Sequence, residues 1–168
     1  PGKKALIVIS SGKSTRANGY LDRTEKELAA AGAATEVFAG IQANPTLESV
    51  GKGAQAARAM GADMIVALGG GSVMDAAKAI ALMAVNEGNL WDYVGSGTGK
   101  GQKYAHRALP VIAITTTAGT GSEVDATSVI TNQETHEKIG LKFPDLYPCL
   151  AIVDPELMLT VPPRLTAF

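Results

Sequence analysis

Short continuous apolar runs alternate along this chain with segments in which apolar residues recur at helical spacing. Residues 4–10 (KALIVIS) form the first run, bounded by polar residues, the pattern of a strand covered on both faces. Residues 20–31 then place Leu21 and Leu28 on one helical face and Arg23, Glu25, Lys26 and Glu27 largely on another, with Gly32 as the stop. Glu36, Val37 and Phe38 fall in a second strand, and Asn44-Pro45-Thr46 closes the loop after it. Thr46 is the predicted N-cap of a helix over 47–60, where Leu47, Val50, Ala54 and Ala57 recur and Gly61 ends the pattern. Residues 64–68 make a third strand, 73–85 a helix and 109–115 a fourth strand. This alternation predicts an α/β fold, a Rossmann-like parallel sheet with helices on both faces.

The rest of the pattern is less regular. Residues 86–107 read as a mobile surface excursion with a glycine-rich 95–101, anchored to the core by Leu90, Trp91 and Tyr93. Residues 127–131 and 138–142 flank a polar turn over 132–137 and predict a β-hairpin. A last short strand follows at 150–153, Asp154-Pro155-Glu156 caps a turn, and Pro162-Pro163 opens a helix at Arg164 that is cut off after one turn, at Phe168.

At 168 residues one domain with a real core is expected. A formal charge of −1 excludes a nucleic-acid surface dominated by Lys and Arg, and no apolar run approaches a membrane span, so neither nucleic acid nor membrane is an expected partner. The chain opens without a charged-then-apolar leader, and its single Cys149 makes no internal disulfide, so a cytoplasmic location is expected. Cys149 reads as a strand-edge packing residue, and His106 and His136 as solvated turn residues.

Chemistry concentrates where Leu68-Gly69-Gly70-Gly71-Ser72 joins the third strand to its helix. Consecutive glycines remove Cβ atoms from the turn, so phosphates can approach the main chain, and Ser72 is the expected cap of a helix whose first N–H groups point the same way. Asp75 in the first turn would repel a phosphate, and its expected partner is a neutral amide or hydroxyl donor. At the end of the fourth strand, Thr116-Thr117-Ala118-Gly119-Thr120-Gly121-Ser122 offers hydroxyl and main-chain donors to phosphate or ribose oxygens. Ligands of such sheets sit beyond the carboxyl ends of the strands, where loops 10–16, 39–46 and 69–72 also lie.

Other motifs fail on inspection. Gly12-Lys13-Ser14 and Gly99-Lys100 imitate a nucleoside-triphosphate loop, but Ile7 and Val94 stand where the leading glycine is required. C-x-x-C, H-E-x-x-H and G-x-S-x-G are absent, leaving no complete metal site and no nucleophile elbow.

GGGSVMDAAKAIA, TTAGTGSEV, SVITN with a later Lys, and AIVDPELMLTVPPRLTA, in that order, resemble the iron-containing alcohol dehydrogenase family. The resemblance spans nearly the whole chain. It implies an N-terminal dinucleotide-binding domain at 1–168, lacking the C-terminal helical domain that holds Fe²⁺ or Zn²⁺ in complete members, and trimmed of the short strand that normally precedes the first βα unit. It also implies hydride transfer between a nicotinamide cofactor and a primary alcohol or aldehyde, and a possible homodimer. Carried over by position, Gly70, Gly71 and Ser72 would cradle the pyrophosphate, and Asp75 would take a hydrogen bond at the nicotinamide end. Thr116, Thr117, Gly119 and Thr120 would line the nucleotide, Val129 and Lys138 would touch the nicotinamide ribose region, Asn44 would lie near the adenosine, and Ser10 and Ser11 would face its ribose.

An acidic residue at the end of the first strand binds a ribose 2′-hydroxyl and repels a 2′-phosphate. Here Ser10-Ser11-Gly12 stands there with Lys13 and Arg16 behind, so NADP(H) is expected over the alternative NAD(H). The family's first metal ligands, an Asp and a His, follow the PPRLTA block, which the resemblance puts beyond Phe168. The polypeptide alone is therefore expected to bind dinucleotide weakly or moderately, to retain no tightly bound metal and to turn over no alcohol. Two alternatives remain open: a fragment of a glycerol dehydrogenase or dehydroquinate synthase type of enzyme, which shares a GGG…D turn, and a non-catalytic nucleotide-binding domain.

Overall fold

The computed structural model describes residues 2–166. Phe168, the residue beyond which the family's metal ligands were expected, lies outside the described residues. The centre of the fold is a parallel sheet of five strands, β1 (Lys4–Ser10), β2 (Ala34–Ile41), β3 (Met64–Gly69), β4 (Val111–Thr115) and β7 (Leu150–Ile152), in the order β2-β1-β3-β4-β7. The chain runs from β1 outward to β2 on one side, then returns to place β3 and β4 on the other, so the order reverses between β1 and β3. Ligands of open α/β sheets bind beyond the carboxyl ends of the strands at such a reversal, so the crevice expected here lies beyond β1 and β3.

β1 is buried from Ala5 to Ile9 because each face of its pleat meets a different helical layer. Leu6 and Val8, with Ile65, Ala67 and Ala113 from the neighbouring strands, face α3 (Leu47–Met60) and α4 (Gly71–Met83). Ala5, Ile7 and Ile9 pack with Val66, Leu68 and Leu21 toward α2 (Tyr20–Ala30). The expected two-faced cover is present but uneven: over β3, β4 and β7 the α2 face carries an open groove of about 330 Å³, lined by Val66, Leu68, Ile112, Ile114, Leu150 and Ile152.

Helix α4 is buried at every position from Val73 to Met83 except Asp75. A helix apolar on all sides needs cover on all sides. The sheet supplies one side, and the antiparallel hairpin of β5 (Thr127–Asn132) and β6 (Glu137–Lys142) supplies the other through Ile130 and Ser128. Helix α3 begins at a reciprocal cap, Thr46 Oγ1 accepting from Ser49 N at 3.2 Å and Ser49 Oγ from Thr46 N at 3.0 Å. At the far end of α4, Arg58 donates to the carbonyls of Met83, Ala84 and Asn86, satisfying acceptors that the helix leaves over.

Several boundaries differ from the sequence expectation. α4 ends at Met83, two residues short of the expected stop. β4 starts at Val111 because Pro110 has no N–H to give a ladder. Residues 14–16, read as part of the loop 10–16, belong to a single turn, α1 (Ser14–Ala17), and a second short turn, α5 (Leu90–Tyr93), carries the buried Trp91. The 86–107 segment is pinned to the body at both ends. Asn86, 3 % exposed, donates to Leu82 O and His106 O and accepts from the N–H groups of Ala105 and His106, closing the excursion at its base. Trp91 Nε1 donates to Thr98 Oγ1 at 2.9 Å, and Thr98 donates to Glu137 on the hairpin. The final turn, α6 (Pro163–Thr166), starts at Pro163, one residue ahead of the expected Arg164. Its expected continuation to Phe168 falls outside the described residues. Cys149 stands exposed beside β7, its thiol donating to Val111 O; His106 and His136 are also exposed.

Candidate functional site

The glycine turn leaves β3 at the point where strand order reverses. Contrary to expectation Ser72 is not the cap: Gly70 is the N-cap in extended conformation, Ser72 is the second helical residue, and its side chain makes no capping bond. The Val73 and Met74 N–H groups reach back to Gly70 O, at 3.0 and 3.2 Å. Gly71 and Ser72 head the helix, where no intrahelical carbonyl is available to their N–H groups. Two donors thus stand at the positive end of a long buried helix, the place where an anion is favoured.

The glycines are required by a close approach, and the partner is the second loop. A Cβ on Gly70 would stand 3.0 Å from Thr117 Oγ1, and one on Gly71 only 2.6 Å from Thr120 Oγ1; at Gly69 it would meet Val73. Thr116 N donates to Gly69 O at 3.1 Å, registering loop against turn, and Thr115 Oγ1 donates to Thr117 O at 2.9 Å within the loop. Thr116 and Thr117 are half-buried, while Ala118, Gly119 and Thr120 are exposed. Hydroxyls therefore stand against bare backbone at a helix start, a neutral, donor-rich cradle of the kind a pyrophosphate fits.

Asp75 also differs from expectation. It is the fifth residue of α4, so it lies past the first turn. Its partners are the neutral donors expected for it: Ser122 Oγ at 2.7 Å on one carboxylate oxygen and Val129 N at 3.2 Å on the other. Burial pushes its pKa above the usual carboxylate range, against the downward pull of those two hydrogen bonds and of Lys78.

Ser10 ends β1 beside Ile41 of β2, and Ser11 N donates to Ile41 O at 2.7 Å. Asn44 lies three residues beyond β2 in the left-handed region, φ 57°, a conformation Asn tolerates better than most residues. Its Oδ1 accepts from Lys138 Nζ at 2.7 Å, and Thr131 N donates to Pro45 O at 2.8 Å. The resemblance assigned Asn44 to the adenosine end and Lys138 to the nicotinamide-ribose region. Their contact brings the two assignments to one point, where the hairpin docks onto the Asn44 loop.

Lys78 and Asp125 join this region without having been singled out as site residues in the sequence, and Ser122, read there only as a donor of the threonine loop, joins them. Lys78 is fully buried and donates to Ser122 Oγ, Asp125 Oδ1 and Thr127 O at 2.9, 2.8 and 2.9 Å. The signal available was a lone cation three residues after Asp75 in VMDAAKAIALM, a helix with no other charge.

The sequence model of iron-containing alcohol dehydrogenases matches residues 1–155. The chain belongs to this family. It is 39 % identical over 166 residues to NADH-dependent butanol dehydrogenase B of Clostridium acetobutylicum, with 99 % of this chain and 41 % of that protein covered. Against 1,3-propanediol dehydrogenase of Citrobacter freundii it is 39 % identical, with 99 % and 42 % covered. Among solved structures, an archaeal halo-thermophilic alcohol dehydrogenase from a Red Sea brine pool superimposes with a TM-score of 0.93 at 38 % identity, over 99 % of this chain and 42 % of that one. The sulfoacetaldehyde reductase of Bifidobacterium kashiwanohense in complex with NAD⁺ gives 0.83 at 35 % identity, over 98 % and 42 %. The chain thus spans about two fifths of the length of these relatives.

The family's name implies a metal. Among the described residues no three His, Cys, Asp or Glu side chains gather where they could hold one ion, so no step is derived through a metal on these residues. The ligands expected beyond Phe168 concern positions outside the described residues. None of the described helices is long and apolar enough to cross a membrane.

Proposed function

We propose that this chain is the dinucleotide-binding portion of a metal-dependent alcohol dehydrogenase, one that exchanges hydride between NAD(P)H and a primary alcohol or aldehyde. The observation that carries this reading is the approach of the Thr117 and Thr120 hydroxyls to the bare backbone of Gly70 and Gly71 at the head of α4, where the strand order reverses between β1 and β3. Gly70, Gly71, Ser72, Thr117 and Thr120 would hold the pyrophosphate, with Thr116 and Gly119 shaping the second wall. Lys138 and Asn44 together would hold one ribose, and Val129 and Asp75 the nicotinamide end. The bound cofactor supplies the hydride; this chain's residues orient it and provide neutral donors for its charge.

NADP(H) is the proposed preferred cofactor. Ser10 and Ser11 carry no charge at the end of β1, and Lys13 and Arg16 are exposed in the turn just beyond. A 2′-phosphate would meet cations there and no carboxylate. Two butanol dehydrogenase relatives are named NADH-dependent, at 39 % and 40 % identity, which makes the comparison decisive. Titration calorimetry with NADPH and with NADH checks it. The expected result is tighter binding of NADPH, reversed in Ser10→Asp; tighter NADH binding by the unaltered chain refutes the preference, and binding of neither refutes the site.

A further inference from the structure

We propose that Lys78 is a positioning residue for the nicotinamide end of the dinucleotide, acting through Ser122 to hold Asp75 as a hydrogen-bond acceptor for the carboxamide. This rests on the dinucleotide reading above. The direction of the chain of hydrogen bonds is fixed by chemistry. An ammonium has donors and no acceptor, so Lys78 donates to Ser122 Oγ at 2.9 Å. The Ser122 hydroxyl has one proton, and that proton goes to Asp75 Oδ1 at 2.7 Å. Val129 N fills a place on Oδ2 at 3.2 Å. A carboxylate offers about four lone-pair sites, so Asp75, half-buried, keeps acceptor capacity for an amide N–H₂.

Lys78 itself has no access to a ligand. It is 0 % exposed, and its three protons are spent on Ser122, Asp125 and Thr127 O, which tie α4 to the segment entering β5. The ionisable groups acting on Asp75 are Lys78 on its own helix and Asp125 in that segment, with opposite signs. Burial favours the protonated acid, which would present a donor on one oxygen; the Lys78–Ser122 arm favours the carboxylate. Removing the arm should let Asp75 take up its proton at a higher pH, so the nicotinamide end should lose its acceptor there.

The test compares Lys78→Met and Ser122→Ala with the unaltered chain, titrating NADPH and, separately, 2′-phospho-ADP-ribose, which lacks the nicotinamide. Each titration is run from about pH 5 to about pH 9, spanning the carboxylate and histidine ranges. The expected result is roughly a 10-fold weakening of NADPH, the scale of one lost charge-assisted hydrogen bond, with 2′-phospho-ADP-ribose unchanged. The acid-side fall in NADPH affinity should also move to higher pH. Ser122→Ala leaves the Lys78–Asp125 pair in place, so it carries the test should Lys78→Met not fold. Equal weakening of both ligands at every pH would make Lys78 a purely structural residue and overturn the proposal, as would unchanged NADPH binding in Ser122→Ala. Failure of the unaltered chain to bind either ligand would instead overturn the dinucleotide reading, and this inference with it.

Discussion

The two ends of the parallel sheet are built for different purposes, and β3 joins them. At its amino end Asp63 accepts from Lys3 N and Lys4 N at 2.8–3.0 Å, and Gly61 turns the chain out of α3 with φ 65°. The Asp63 bonds tie the starts of β1 and β3 together on an exposed edge. At its carboxyl end the bare backbone of Gly70 and Gly71 lies against threonine hydroxyls, and the carboxylate of Asp75 is half-buried. One edge uses its polar groups to hold strands in register, and the other keeps some of them available. A residue's type predicts little about its role until its edge is known: a glycine at 61 serves a backbone angle, and a glycine at 71 serves a close approach.

The largest contrast should come from those two glycines. Gly71→Ala places a methyl 2.6 Å from Thr120 Oγ1, on an exposed loop that yields. We expect little change in the urea midpoint and a loss of dinucleotide affinity of roughly 10-fold or more, since the two walls of the cradle separate. Gly61→Ala should do the opposite, costing about 1 kcal/mol of stability because an L-residue is strained at φ 65° while nothing crowds the new methyl. NADPH affinity of the folded fraction should be unchanged. Chemical denaturation paired with titration calorimetry on both variants measures the contrast; affinity loss in Gly61→Ala would break it.

The smallest effect is also the sharpest in sign. Asp63 is held below its ordinary pKa of 3.8 by the Lys3 and Lys4 N–H groups, so its contribution to stability is present above that value and is lost as pH falls through the depressed one. Asp75 is held above 3.8 by burial, so its contribution is present below 3.8 and is lost as pH rises through the elevated value. Urea midpoints of Asp63→Asn and Asp75→Asn between about pH 3 and pH 7 should therefore depart from the unaltered chain with opposite slopes. Slopes of the same sign would show that the two edges share one electrostatic character.

How much of this was legible in the sequence depended on whether the signal was local. β1 was predicted at Lys4–Ser10 and is found there, because an uninterrupted apolar run between polar residues has few alternatives. α3 declared both its ends through Thr46 and Gly61. β2 was seen only at its middle: on the edge of the sheet Ala34, Ala39 and Gly40 are exposed, and the buried Ile41 that ends it stands apart from Val37 and Phe38 with no continuous run of large apolar residues between them. The single turn at Ser14–Ala17 is too short to show a period. In the site, the glycine turn and the threonine loop were readable as motifs, whereas their dependence on each other was not. Asn44 and Lys138 are 94 residues apart and Lys78 and Ser122 are 44 apart; only the closed sheet brings either pair together. Ser72 misled because its type favours capping, and Gly70 took the position through backbone geometry alone.

The crevice has one more property that follows from strand order. The residues proposed to line it, 10–11, 44, 70–72 and 116–120, lie at or just beyond the carboxyl ends of β1, β2, β3 and β4 in turn. No contiguous stretch of polypeptide owns a working fraction of it. Nucleotide would therefore act as a keystone, recognising the assembled arch and none of its separate stones, and its occupancy would count the molecules in which all four parallel strands have closed.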